Sequence, residues 1–143
     1  MRQATRPGMA SVRTLKVWQE AMDLLVEVYR TTKSFPRDEW FGLTQQLRRA
    51  SVSVPSNIAE GTERDTAPER RRFLTVARSS VAEIDTQLEA ACRLGYLDEQ
   101  TLDRLLSRTD RIAGMLTRLK GAIKDRPGAR ASRPTPTAHL PSR

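Results

Sequence analysis

Residues 98–123, DEQTLDRLLSRTDRIAGMLTRLKGAI, set Leu102, Leu105, Thr109, Ile112, Leu116, Leu119 and Ile123 at spacings that alternate strictly between three and four. That period follows the turn of an α-helix and gathers all these side chains on one face. Asp98, just ahead of the pattern, is a residue type that caps helix starts. A helix with one apolar stripe must bury it against another element. The rest of the chain supplies such elements.

Before this stretch, Gly95 ends a third helix that opens at the capping-box string Thr66-Ala67-Pro68-Glu69 and turns Phe73, Ala77, Ser80, Ile84, Leu88 and Ala91 inward. A second helix, about 38–60, carries Leu43, Leu47, Ala50, Val54 and Ile58 on one face and stops at Gly61. Phe35-Pro36 breaks the chain before it, and Asp38 and Glu39 suit its positive end. Pro55 lies inside its pattern, so a kink or break is expected near Ser51 to Val54. Short connections between helices of similar length predict an all-α, antiparallel, up-down-up-down four-helix bundle with the second helix kinked near Pro55.

The first helix, about 14–34, has two apolar rows. Leu15, Trp18, Met22, Leu25, Tyr29 and Thr32 form a seam at spacings of three and four. Val17, Ala21, Leu24 and Val28 form a second row beside it, wider than one core requires. Glu20, Asp23 and Glu27 line another face. We therefore read Val17, Glu20, Ala21, Asp23, Leu24, Glu27 and Val28 as a candidate contact with a second copy, set head to tail against a basic face.

The chain of 143 residues has a formal charge of +8, unevenly placed. Residues 1–13 and 125–143 are basic and poor in large apolar side chains, and Pro127, Pro134, Pro136 and Pro141 fall in the latter. Both segments are expected to be disordered arms flanking one domain, 14–124. No apolar run is long enough to span a membrane, and the first residues lack the apolar core of a secretory signal. A cytoplasmic location is expected. The lone Cys92 and lone His139 leave little for metal or acid–base chemistry. A helical ribonuclease of the HEPN type needs an arginine and histidine within one helix, and a di-iron bundle needs Glu-x-x-His pairs. Neither pattern is present. Cys92 reads as a small core residue, and no enzyme activity, cofactor or metal is expected.

Along the second helix, Gln46, Arg49, Ser53, Asn57 and Glu60 make a polar row bordering the apolar one. We read it as structural, satisfying groups freed by Pro55 and pairing with another helix. The same residues lie in longer strings: Leu15-x-Val17-Trp18-Gln19-x-Ala21, Phe35-Pro36-x-x-Glu39, Gly42-Leu43-Thr44-x-Gln46-Leu47-Arg48-Arg49-Ala50 and Ser53-Val54-Pro55-Ser56-Asn57-Ile58-Ala59-Glu60-Gly61. Arg72-Phe73-Leu74-x-x-Ala77-Arg78-Ser79-Ser80-x-x-Glu83 and Leu94-Gly95-Tyr96-Leu97 continue them.

Over about 14–120 these strings resemble the four-helix bundle family of 23S rRNA intervening-sequence proteins, with Ser79 where the common form has glycine. Members are encoded in bacterial ribosomal RNA intervening sequences and elsewhere in genomes. Their fold is similar to the accessory variability proteins of diversity-generating retroelements, barrel-shaped pentamers that bind nucleic acid and a reverse transcriptase. The resemblance implies a homo-oligomer, a pentameric ring, with a nucleic-acid role and no reaction.

Arginines offer the phosphate contacts such a role needs. Arg104, Arg108, Arg111 and Arg118 flank the apolar row of the fourth helix, and Arg64, Arg70, Arg71, Arg72 and Arg78 cluster around the start of the third. With Trp18 and Tyr29 assigned to the seam, only Trp40 and Tyr96 remain to stack on bases, so backbone recognition of RNA or DNA is expected. The alternative is an interaction scaffold for a protein partner such as a polymerase or ribosomal factor.

Overall fold

The computed structural model describes residues 12–124. Four long helices occupy this span: α1 (Lys16–Thr32), α2 (Leu43–Thr62), α3 (Ala67–Arg93) and α4 (Glu99–Ala122), with a turn of 3₁₀ helix at Arg37–Glu39. The two arms expected to be disordered lie outside the described residues, apart from Val12 and Arg13. Val12 is buried in the core and the Arg13 carbonyl accepts a hydrogen bond from Gln19. The packed unit therefore starts two residues before the expected boundary at 14.

Contacts across the helices run antiparallel throughout. Ser53 meets Ser80 and Gly61 meets Phe73 between α2 and α3. Asp85 meets Thr109 and Arg71 meets Ile123 between α3 and α4. Glu27 meets Arg104 and Glu20 meets Arg111 between α1 and α4. Each helix packs on two neighbours around one core containing Leu24, Leu47, Ile58, Ile84, Leu88, Leu105, Ile112 and Leu116. Burying a side chain of this size contributes about 1.5–3 kcal/mol.

The helix ends follow their sequence signals. Thr66 Oγ1 accepts the Glu69 N–H, and Asp98 accepts the Thr101 N–H at 2.7 Å. After α3, Gly95 takes φ of +79°, and the Tyr96 and Gly95 amides return to the Ala91 and Cys92 carbonyls. That is a Schellman closure, which needs the left-handed conformation glycine adopts without strain.

The start of α2 departs from expectation. Asp38 and Glu39 do not open it; the chain makes a 3₁₀ turn and the α-helix begins at Leu43. Glu39 serves it from outside, one carboxylate oxygen accepting the Leu43 N–H at 2.8 Å and the other the Tyr96 hydroxyl at 3.2 Å. A Cβ on Gly42 would stand 2.7 Å from that carboxylate. From there α2 continues through Pro55 to Thr62 without a break. Tyr96 also packs on Phe35, their ring centroids 5.5 Å apart, so it is a structural residue and not a free stacking platform.

On α1 the two apolar rows exchange roles. Val17, Ala21, Leu24 and Val28 are buried in the chain's own core. Leu15, Trp18, Met22 and Leu25 are half-buried at its border, and Tyr29 is exposed. Spacing cannot rank two adjacent rows, but size and polarity can: the smaller row lets α1 approach its neighbours, while Trp and Tyr carry polar tips suited to the boundary. Val17, Ala21, Leu24 and Val28 are therefore not available to a second copy.

Candidate nucleic-acid interface

The polar row of α2 divides into parts with different partners. Ser53 Oγ lies 2.8 Å from Ser80 Oγ across the α2–α3 contact, and Asn57 Nδ2 donates to the Ser53 carbonyl and hydroxyl. Glu60 pairs with Arg64 one turn on, at 3.1 Å. These contacts hold Ser53, Asn57 and Glu60 to other residues of the same chain. Gln46 and Arg49 remain exposed, and Arg49 faces a groove described below.

The arginine stripe on α4 is largely occupied. Glu27 receives Arg104 at 2.9 Å and Arg108 at 3.4 Å, while Glu20 receives Arg111 at 3.4 Å. Both glutamates are only about one-fifth exposed, so the stripe is pinned by α1 of the same chain. The charge complementarity expected between copies is satisfied within one copy. Asp23 stays exposed.

Arginines gather toward the end of the bundle where α1 starts, α2 ends, α3 starts and α4 ends. Arg70 donates to the carbonyls of Arg64 and Asp65 at 3.1 Å and so closes the α2–α3 turn. Arg71 donates to the Ile123 carbonyl at 2.9 Å, tying the start of α3 to the finish of α4. Arg64 lies over the Phe73 ring, 4.6 Å from its centroid. Arg72 is exposed, and Arg78 and Lys120 line one groove between α3 and α4. Among the described residues none of Arg72, Arg78, Arg118 and Lys120 forms an ion pair. Asp85 also lines that groove; burial raises its carboxyl above the usual range, against the opposing effect of the hydrogen bond from Thr109. The described residues begin and finish at this end, and in sequence Arg2 and Arg6 precede them while Arg126, Arg130, Arg133 and Arg143 follow.

At the other end, between α1 and α2, lies a groove of about 560 Å³ that sequence reasoning missed as a unit. Tyr29, Trp40, Phe41 and Val52 line it, with Arg48 and Arg49. Phe41 is 83% exposed and Trp40 57%. Arg48 is held by Thr32 Oγ1 at 2.9 Å and the Tyr29 carbonyl at 3.4 Å, its guanidinium 4.6 Å from the Tyr29 centroid and 5.2 Å from that of Trp40. The signal in the sequence was the pair Trp40-Phe41 directly before a helix, where one short connection cannot bury two large rings.

Cys92 is half-buried, and desolvation with Glu99 and Glu89 nearby pushes its thiol above the ordinary value. No helix among the described residues is long and apolar enough to cross a membrane.

A four-helix bundle with a polar α2–α3 seam and a cationic end defines a class before it defines an individual. The family model described as 23S rRNA-intervening sequence protein matches residues 13–118, and the chain belongs to that family. Among solved structures, a protein of unknown function from the S23 ribosomal protein family of Bacteroides thetaiotaomicron superposes with a TM-score of 0.66 at 18% identity, over 73% of this chain and 97% of that one. At this identity the likeness concerns the fold. No curated protein matches.

Proposed function

We propose that this chain is a non-enzymatic, cytoplasmic nucleic-acid-binding bundle that works as a homo-oligomer, a pentameric ring, and takes RNA or DNA phosphates with low sequence specificity. The observation that carries this reading is the meeting of Arg72, Arg78, Arg118 and Lys120, which form no ion pair among the described residues, toward the end of the bundle where the described residues begin and finish. Guanidinium groups suit phosphate oxygens, and several copies would multiply a modest patch. Membership in a family described by 23S rRNA intervening sequences supports RNA as the first ligand to try. The candidates nearest that end are Arg64, Arg70, Arg71, Arg72, Arg78 and Arg118; the paired Arg104, Arg108 and Arg111 contribute little. A contact between copies would use side chains exposed in the single chain.

The test is fluorescence anisotropy of labelled structured RNA and duplex DNA with the full chain, across a salt series. Binding that weakens log-linearly with salt supports the reading. No binding at about 50 mM salt contradicts it and turns attention to a protein partner. A monomeric mass by light scattering at micromolar protein contradicts the homo-oligomer.

A further inference from the structure

We infer that the groove between α1 and α2 is a stacking site for an unpaired nucleobase and its adjoining phosphate. This rests on the nucleic-acid reading above and adds a second, base-dependent contact to it. Three aromatic rings converge there, and the two least covered, Trp40 and Phe41, are adjacent in the chain and exposed. Exposing large rings to water is unfavourable unless a ligand uses them, and a planar base has the shape and apolar faces to do so.

The charge of the lining selects an anion. Arg48 and Arg49 line the groove, and among the described residues no carboxylate does. Arg48 is set before any ligand arrives: Nε and Nη2 are engaged by Thr32 and Tyr29, and the guanidinium lies against two rings. Its Nη1 group remains for a phosphate oxygen. Arg49, exposed beside it, offers a full donor fork. Thr44 also lines the groove, is 3% exposed, and among the described residues its buried hydroxyl has no hydrogen-bond partner.

Paired bases hide their faces inside a duplex, so the ligand is single-stranded nucleic acid. The cavity lies within the 300–1,000 Å³ range typical of small-molecule sites. Its lining on α2 reaches Ser53, and α2 runs on to Thr62, so about 14 Å of helix at 1.5 Å per residue separates it from the basic end. The two contacts should therefore be separable by mutation.

The experiment compares a labelled oligouridine, the same strand built of abasic sites, and a duplex, each titrated with the full chain. Stacking predicts that oligouridine binds about tenfold or more tightly than the abasic strand, with quenching of tryptophan emission that W40F loses. W40A/F41A should bring oligouridine to the abasic level and leave the abasic strand and duplex unchanged. Equal affinity for oligouridine and the abasic strand overturns the stacking site while leaving the nucleic-acid reading intact. Loss of binding to all three ligands overturns both. If W40A/F41A leaves every affinity unchanged but lowers the mass measured by light scattering, the groove is a contact between copies and the stacking site is overturned.

Discussion

Glu27 on α1 and Arg104 on α4 meet at 2.9 Å, and the same carboxylate also holds Arg108. In sequence these residues read as two opposed surfaces, each waiting for something outside the chain. In the fold they belong to one interhelical contact, which with the Glu20–Arg111 pair removes Arg104, Arg108 and Arg111 from the phosphate-binding candidates and leaves Arg118 with the less regular cluster around the start of α3. Because Arg104 is 54% exposed, the pair is screened, and E27Q should lower stability by no more than about 1 kcal/mol in urea denaturation. A loss of several kcal/mol would mean the pair organises the bundle.

Gly95 supplies a cleaner test of local structure. Its φ of +79° is costly for other residues, and a Cβ there would meet nothing within 4 Å. G95A should therefore destabilise by about 1–2 kcal/mol from backbone strain alone, and G95N by less, since asparagine tolerates the left-handed region. Equal stability of G95A and wild type would show that the Schellman closure is not retained.

Asp85 gives the pH dependence a definite sign. Its carboxyl is raised from 3.8, chiefly by burial, so the folded state holds the proton more tightly than the unfolded state does. The stability this adds is fully present below pH 3.8 and is lost as pH rises through the higher folded value. D85N keeps an acceptor for Thr109 without the charge. It should melt no lower than wild type at pH 7 and should lack the part of the acid-side profile due to this group, as thermal melts across pH would show.

Cys92 should be a slow thiol. Desolvation and nearby carboxylates push its thiol above the ordinary value, so little thiolate is present at pH 7–8. Iodoacetamide should modify it more slowly than a free cysteine at the same pH. Fast alkylation at pH 7 would contradict this and reopen the question of a reactive centre.

Helix number, their order and most inward faces were legible in the sequence, because apolar spacing and caps such as Thr66 and Asp98 report directly on helix geometry. The choice between rows on α1 was not, since both repeat at the same period and only packing distinguishes Leu24 from Leu25. The start of α2 was misplaced because Glu39 caps it from four residues away, a tertiary arrangement that also needs Gly42 and Tyr96. The arginines of α3 and α4 were found as residues, but their pairing depends on which helices are neighbours. The groove around Arg48 was missed for the same reason: Tyr29, Trp40 and Arg48 come together only when α1 and α2 fold back on one another.

The most direct measurement compares two double neutralisations that each remove two positive charges from the full chain. R72Q/R78Q acts on exposed arginines that form no ion pair among the described residues, and R104Q/R111Q on arginines already held by Glu27 and Glu20. The readout is the slope of log affinity for structured RNA against log salt. R72Q/R78Q should reduce the slope by about one for each arginine removed, and R104Q/R111Q should leave it close to wild type. Equal slopes for the two variants, or a larger loss with R104Q/R111Q, would contradict a phosphate site on the basic end of the bundle.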